Sequence, residues 1–206
     1  MIPDGMAPLL REDLSDDPLE QFDHWFDLAR QRSGVAMPEA VCLSTVDPDG
    51  YPEGRVVLLK GRDPRGFVFY TNLHSRKGMS LTARPRAALT FYWEKLGRQV
   101  RVQGDVERVS DAEADAYFGT RPRGSQLGAW ASDQSTVLEG RDPLVARVAE
   151  LAALYEGRAV PRPPHWSGLR VVPQRVEFWQ VMPDRLHDRF LYRKSGASWV
   201  IERLAP

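Results

Sequence analysis

Residues 40–60 read AVCLSTVDPDGYPEGRVVLLK, with two runs rich in β-branched residues on either side of the turn tetrad DPDG at 47–50. Such runs, broken by a Pro/Gly turn, form an antiparallel hairpin. The pattern continues downstream. FVFYTN (67–72) follows GRDPRG, and AALTFYW (87–93) and RQVRVQGDVERV (98–109) are separated only by EKLG. GLRVV (168–172), RVEFWQV (175–181), RFLYR (189–193) and SWVIERL (198–204) read as closing strands. Short turns between neighbours favour antiparallel pairing, so the expected architecture is a barrel with peripheral helices, not a βαβ sheet.

Helices punctuate this order. Asp17 and Pro18 cap and open one, with Glu20 expected to complete a capping box. Leu19, Phe22, Trp25, Phe26 and Ala29 then recur at helical spacing and give it one apolar face. A short helix begins near Ser75. Ser110 and Glu113 form a capping box that opens another helix through Tyr117, which stops around Arg121 because Pro122 follows. Leu144 to Tyr155 is amphipathic, and PRPPHW (161–166) is a stiff loop.

The chain has 206 residues, within the range that all-β barrels occupy as one unit, so one domain is expected over 17–206 after a flexible segment at 1–16. Lys and Arg number 28 against 28 Asp and Glu, which leaves no net field to attract nucleic acid or an anionic membrane; neither is expected as a partner. Any anion must be gripped locally. The single cysteine, Cys42, cannot form an internal disulfide, suits a reducing compartment and reads as a small buried hydrophobe. The start MIPDGMAPLLRED has no basic n-region, and no window approaches the roughly 18 apolar residues of a membrane span; the expected location is the cytoplasm.

Four constellations could carry chemistry. In SRKG (75–78), Arg76 and Lys77 fall in a helix's first turn, where two cations oppose the dipole unless an anion is present. With a phosphate there, backbone N–H groups, the Ser75 hydroxyl and both cations would converge on it; without one, the cations face solvent. In RVVLLK, expected as a buried strand, Arg55 and Lys60 lie five positions apart and so on opposite faces unless a bulge intervenes. Tyr117 and Arg121 share a helical face, with Ser125 just beyond Pro122, as either a second oxyanion grip or a surface pair. Arg185, His187 and Arg189 alternate; if extended, they share a face where neighbouring positive charge would keep His187 neutral and able to accept a proton. His24, His74 and His165 are scattered without metal-ligand spacing, and there is no GxGxxG, P-loop or GxSxG motif.

Taken in order, RVVLLK, FYTN followed by SRKG, RQVRV, YFGTRPRGSQLGAWASDQS (117–135), VEFWQ and RLHDRFLY through the terminal ERLAP resemble the pyridoxine/pyridoxamine 5'-phosphate oxidase family, from about Asp17 to Pro206. The resemblance implies a mainly β fold: an antiparallel split β-barrel of Greek-key type with peripheral α-helices, binding FMN at a homodimer interface. It implies cofactor contacts along Arg55, Val56, Val57, Leu58, Leu59 and Lys60, then at Tyr70, Thr71, Arg76 and Lys77. Further contacts carried over are Gln99, Gln134, Ser135, Trp179 and Arg189. The substrate's phosphate falls to Lys60, Tyr117, Arg121 and Ser125, with Arg185 and His187 as catalytic residues beside its pyridine ring.

The implied activity is oxidation of pyridoxine 5'-phosphate or pyridoxamine 5'-phosphate to pyridoxal 5'-phosphate, by hydride transfer to flavin N5 and reduction of O2 to H2O2. Two rivals remain: an FMN-dependent oxidoreductase with another substrate, as in phenazine-pathway relatives, and a non-catalytic flavin-binding or nucleic-acid-binding module. Lys60, Tyr117 and Arg121 count against the first, since a substrate without phosphate leaves them without a counter-charge. The resemblance does not extend to the basic and aromatic N-terminal segment that covers substrate in similar proteins, because only MIPDGMAPLL precedes Arg11.

Overall fold

Apolar alternation and turn chemistry resolve into nine strands and five α-helices among the described residues of the computed structural model, which are 7–32 and 34–206. In chain order they are α1 (Pro18–Gln31), β1 (Ala40–Val46), β2 (Pro52–Leu58), β3 (Gly61–Asp63), β4 (Gly66–Asn72), α2 (Arg76–Ala83) and β5 (Arg86–Trp93). There follow β6 (Arg98–Arg108), α3 (Asp111–Thr120), α4 (Arg123–Ala131), α5 (Asp142–Leu154), β7 (Trp166–Gln180), β8 (Asp188–Ser195) and β9 (Ser198–Arg203). All strands pair antiparallel in the order β2-β1-β5-β6-β7-β4-β3, with β8 and β9 added to the far end of β7. The result is the expected split barrel. No helix among the described residues is long and apolar enough to cross a membrane.

Asp17 accepts from the Leu19 N–H and Pro18 pre-sets the first turn, so α1 starts where expected. Its face of Phe22, Trp25, Phe26 and Ala29 plugs the barrel: Phe22 meets Phe67 edge-on at 4.8 Å and Trp25 meets Phe178 at 5.2 Å. Each such buried side chain contributes about 1.5–3 kcal/mol. The capping box with Glu20 does not form. Glu20 instead accepts from the Ser15 hydroxyl, which also accepts from the Asp17 N–H.

Several expectations need correction. GLRVV and RVEFWQV are one 15-residue strand, β7, because Pro173 sits opposite the bulge between Gln103 and Gly104 instead of ending the strand. A side chain at Gly104 would meet the Val172 carbonyl oxygen at 2.0 Å, so the close approach requires glycine. GRD, taken as a connection, pairs with β4 as β3. The RVVLLK run is not a buried strand: β2 ends at Leu58 and Val56 is 70% exposed. Cys42 is half-buried. Residues 1–6 of the segment expected to be flexible lie outside the described residues, but 7–16 are anchored. Leu9 and Leu14 are buried, Asp188 accepts from the Leu9 N–H at 2.9 Å, and the Tyr192 hydroxyl donates to the Ser15 carbonyl at 2.6 Å.

Helix α3 is tied to the sheet by charge. Arg170 of β7 is fully buried and meets Asp63, Glu107 and Glu113 at 3.1, 3.1 and 2.8 Å. Glu113 is also the capping-box residue, and its carboxyl is held down to about 2 by the Ser110 backbone N–H and then by the Arg170 guanidinium. A folded-state value below the ordinary one means stability that is present above pH 4.5 and is lost as pH falls towards 2. Glu113→Gln is therefore expected to lower the melting temperature at neutral pH. Melts over a pH series should show the gap to the unsubstituted protein closing across that acid window.

Candidate active site

The end of β4, the C-terminus of α3 and the start of α4 converge around an aromatic stack. Tyr70 lies 3.9 Å from Tyr117 and 5.2 Å from Trp166, ring on ring. Gly168, paired with Tyr70 across β4 and β7, makes this possible: a Cβ there would sit 2.8 Å from the tyrosine ring. Phe118 closes the stack edge-on against Trp166.

Arg121 caps α3, and Pro122 forces the chain to leave in extended conformation. Its guanidinium rests 4.7 Å over the Trp166 ring, and its buried Nη1 has no hydrogen-bond partner among the described residues. Burial pulls the Arg121 pKa down, opposed by Tyr117. Burial likewise raises both Tyr70 and Tyr117. A half-buried guanidinium without a counter-charge is costly unless an anion completes it.

This stack forms one wall of a cavity of about 690 Å³. Into it open Lys60, Thr71, Lys77, Ser125 and Gln134, together with Val56, Val57 and Leu58 of the exposed strand β2. Leu59, expected as a cofactor contact, turns into the core instead. A smaller adjoining pocket shares Lys77 and Gln134 and adds Arg55, Arg76 and Ser135. Arg55 and Lys60 line different pockets.

At the start of α2 the Ser75 hydroxyl is internal, not a ligand for an outside anion. It is fully buried, donates to the Asn72 carbonyl and accepts from the Gly78 N–H as the helix cap. Lys77 bridges Ser75 and Gln134 Oε1 at 3.2 and 3.0 Å, and the Arg76 N–H donates to Ser135 Oγ. Burial, then the nearby Arg55, lowers the Lys77 pKa. Two participants escaped sequence reasoning. Trp166, read in the sequence as the end of a stiff loop, is the first residue of β7, and Glu53 lies two positions before Arg55 on the same strand face and bonds both Arg55 and Arg76.

The remaining candidates lie elsewhere in the chain. Gln99, Trp179 and Arg189 form one row across β6, β7 and β8. The His187 ring is 4.7 Å from Trp179. The alternation of Arg185, His187 and Arg189 fails, because β8 starts only at Asp188 and Arg185 sits in a turn after Pro183 with φ of 62°. Arg189 is paired with Glu177 at 2.9 Å. The His187 Nδ1 accepts from the Met182 N–H at 3.1 Å.

A family profile described as pyridoxamine 5'-phosphate oxidase matches residues 28–155. The chain belongs to the pyridoxamine 5'-phosphate oxidase family. A second profile, the pyridoxine 5'-phosphate oxidase C-terminal dimerisation region, matches 166–206. A relative from Rubrobacter xylanophilus, named pyridoxine/pyridoxamine 5'-phosphate oxidase, is 57% identical over 198 residues, covering 96% of this chain and 91% of its own. One from Azorhizobium caulinodans with the same name is 56% identical over 194 residues, covering 93% and 91%. Among solved structures, PhzG from Burkholderia lata in complex with tetrahydrophenazine-1-carboxylic acid superposes with a TM-score of 0.88 at 35% identity, covering 99% of both chains. In this member of the oxidase family, Trp179, Arg185, His187 and Arg189 all fall inside the dimerisation region.

Because the Ser75 hydroxyl works as a helix cap, Ser75→Ala is expected to cost about 1 kcal/mol of stability. Denaturant titration measures it, and an unchanged midpoint would show that the cap carries nothing.

Proposed function

We propose that the chain oxidises pyridoxine 5'-phosphate or pyridoxamine 5'-phosphate to pyridoxal 5'-phosphate with FMN as cofactor. It would act in the cytoplasm as a homodimer, with 17–206 as one folding unit. The observation that carries the reading is the Arg121 guanidinium, which has no carboxylate partner among the described residues and lines a cavity with Lys60, Tyr117 and Ser125. Those four donors suit a phosphate ester.

The donor set also fits the cofactor. Arg55, Arg76, Lys77 and Ser135 would take the flavin phosphate, with Tyr70, Thr71, Gln134 and the run from Val56 to Leu58 along the remainder of the molecule. Bound FMN would supply the two-electron acceptor for hydride from the vitamer's C4' and return the electrons to O2, giving H2O2. With the amine substrate, water completes the conversion and ammonia leaves.

The second row of candidates lies at the other end of β7 from this cavity. Trp166 and Trp179 are thirteen positions apart on β7, about 40 Å along a strand at ~3.3 Å per residue. Gln99, Trp179, Arg185, His187 and Arg189 of a second copy would complete the site, in keeping with the matched dimerisation region. Arg185 would orient the vitamer and stabilise developing negative charge. His187, with Nδ1 engaged by Met182, would donate from Nε2 and is not free to take a proton at Nδ1.

The likeness to PhzG supports a second reading, a substrate bearing a carboxylate in place of a phosphate. Anaerobic addition of pyridoxine 5'-phosphate decides between them. The proposal expects the flavin absorbance to bleach and to return with air; a spectrum unmoved by either phosphorylated vitamer would refute it. Arg121→Gln is expected to raise KM roughly 10- to 100-fold with little change in kcat. Arg185→Gln should lower kcat by about 100-fold. Steady-state kinetics showing the reverse pattern would exchange their roles.

A further inference from the structure

The pocket shared by Arg55, Arg76, Lys77, Gln134 and Ser135 has a member that no donor role explains, the carboxylate of Glu53. Its Oε2 meets Arg55 Nη2 and its Oε1 meets Arg76 Nη2, each at 2.8 Å. One carboxylate thereby bridges the two guanidiniums, as a phosphate would. Thr45 lies opposite Glu53 and Leu43 opposite Arg55 in the β1–β2 ladder, so the backbone fixes this arrangement.

We propose that Glu53 competes with the FMN phosphate for Arg55 and Arg76 and thereby sets how tightly this chain holds its cofactor. The inference rests on the reading of this pocket as the phosphate site. Orientation is not what Glu53 contributes to Arg55, whose Nη1 is already fixed by Thr45 Oγ1 at 2.6 Å and the Leu43 carbonyl at 3.3 Å. Lys77 is held independently by Gln134. A second acid, Asp47, stands 3.6 Å from Arg76, but it is buried and accepts from the Tyr51 N–H, so it belongs to the β1–β2 turn. Glu53 makes no other side-chain hydrogen bond or ion pair among the described residues. A phosphate monoester carries a charge of about −2 near neutral pH. Entering here, it must displace the Glu53 oxygens from both guanidiniums and remain beside a like charge.

The test compares FMN with riboflavin, which lacks the phosphate, in titrations of the flavin-stripped full-length chain followed by flavin fluorescence. Glu53→Gln removes the charge and keeps the shape. FMN binding is expected to tighten roughly fivefold, an effect that shrinks at high salt, while riboflavin binding stays unchanged. Weaker or unaltered FMN binding by Glu53→Gln overturns the proposal, as does an equal shift for both flavins. If the unsubstituted chain binds FMN no better than riboflavin, the phosphate site itself is misassigned and the proposal falls with it. Glu53→Ser is read in the same way and keeps the comparison open should the Gln variant fold poorly.

Discussion

One strand edge has to serve two partners, and the rest of the architecture follows from how β7 divides it. Along one side β7 pairs with β6 from Leu169 to Gln180; on the other, Trp166 to Val171 pair with β4 and Arg175 to Gln180 pair with β8. Pro173 lies between the two stretches, where no ladder bond is asked of it. The division delivers Trp166 to the aromatic stack and Trp179 to the row with Gln99 and Arg189. A single continuous strand thus carries the two halves of the proposed site at its two ends, which a second copy would bring together.

The treatment of buried charge separates scaffold from site. Arg170 is more deeply buried than Arg121, yet it is compensated by three carboxylates that tie β3, β6 and α3 to β7. Arg162 is likewise held by Asp111 and Asp115. A buried nitrogen without a partner is common to Arg170 and Arg121, Nε in the first and Nη1 in the second, but Arg121 has aromatic rings beneath it and no carboxylate partner among the described residues. Such a group costs free energy in the isolated fold, and ligand binding offsets that cost. Rigidity around it is needed for the same reason. The stack of Tyr70, Tyr117 and Trp166, seated on Gly168, fixes the guanidinium where a phosphate can complete it.

The strands flanked by strong turns were legible in the residues themselves, as was the Ser110 cap, because both depend on neighbours within a few positions. Tyr117, Arg121 and Ser125 were legible for the same reason, being set by one helix and one proline. What lay hidden depends on distant pairing or on exceptional backbone. Pro173 reads as a strand end unless the bulge opposite it is known. The left-handed φ of Asp184 and Arg185 breaks an alternation that looked regular. Glu53 becomes a partner of Arg76 only once the hairpin and α2 are packed together. Residues 7–15 are tied to β7, β8 and β9 through Gln180, Asp188, Tyr192 and Arg203 without any local periodicity to announce it.

The central claim, a site built from two copies, is tested most directly by mixing two impaired chains. Arg121→Gln protein and Arg185→Gln protein are dissociated, combined in equal amounts, reassociated and assayed at substrate far below KM. A shared site predicts recovery to about a quarter of the unsubstituted activity, since half the dimers are mixed and each has one intact site. Activity no higher than the mean of the two separate variants would contradict it.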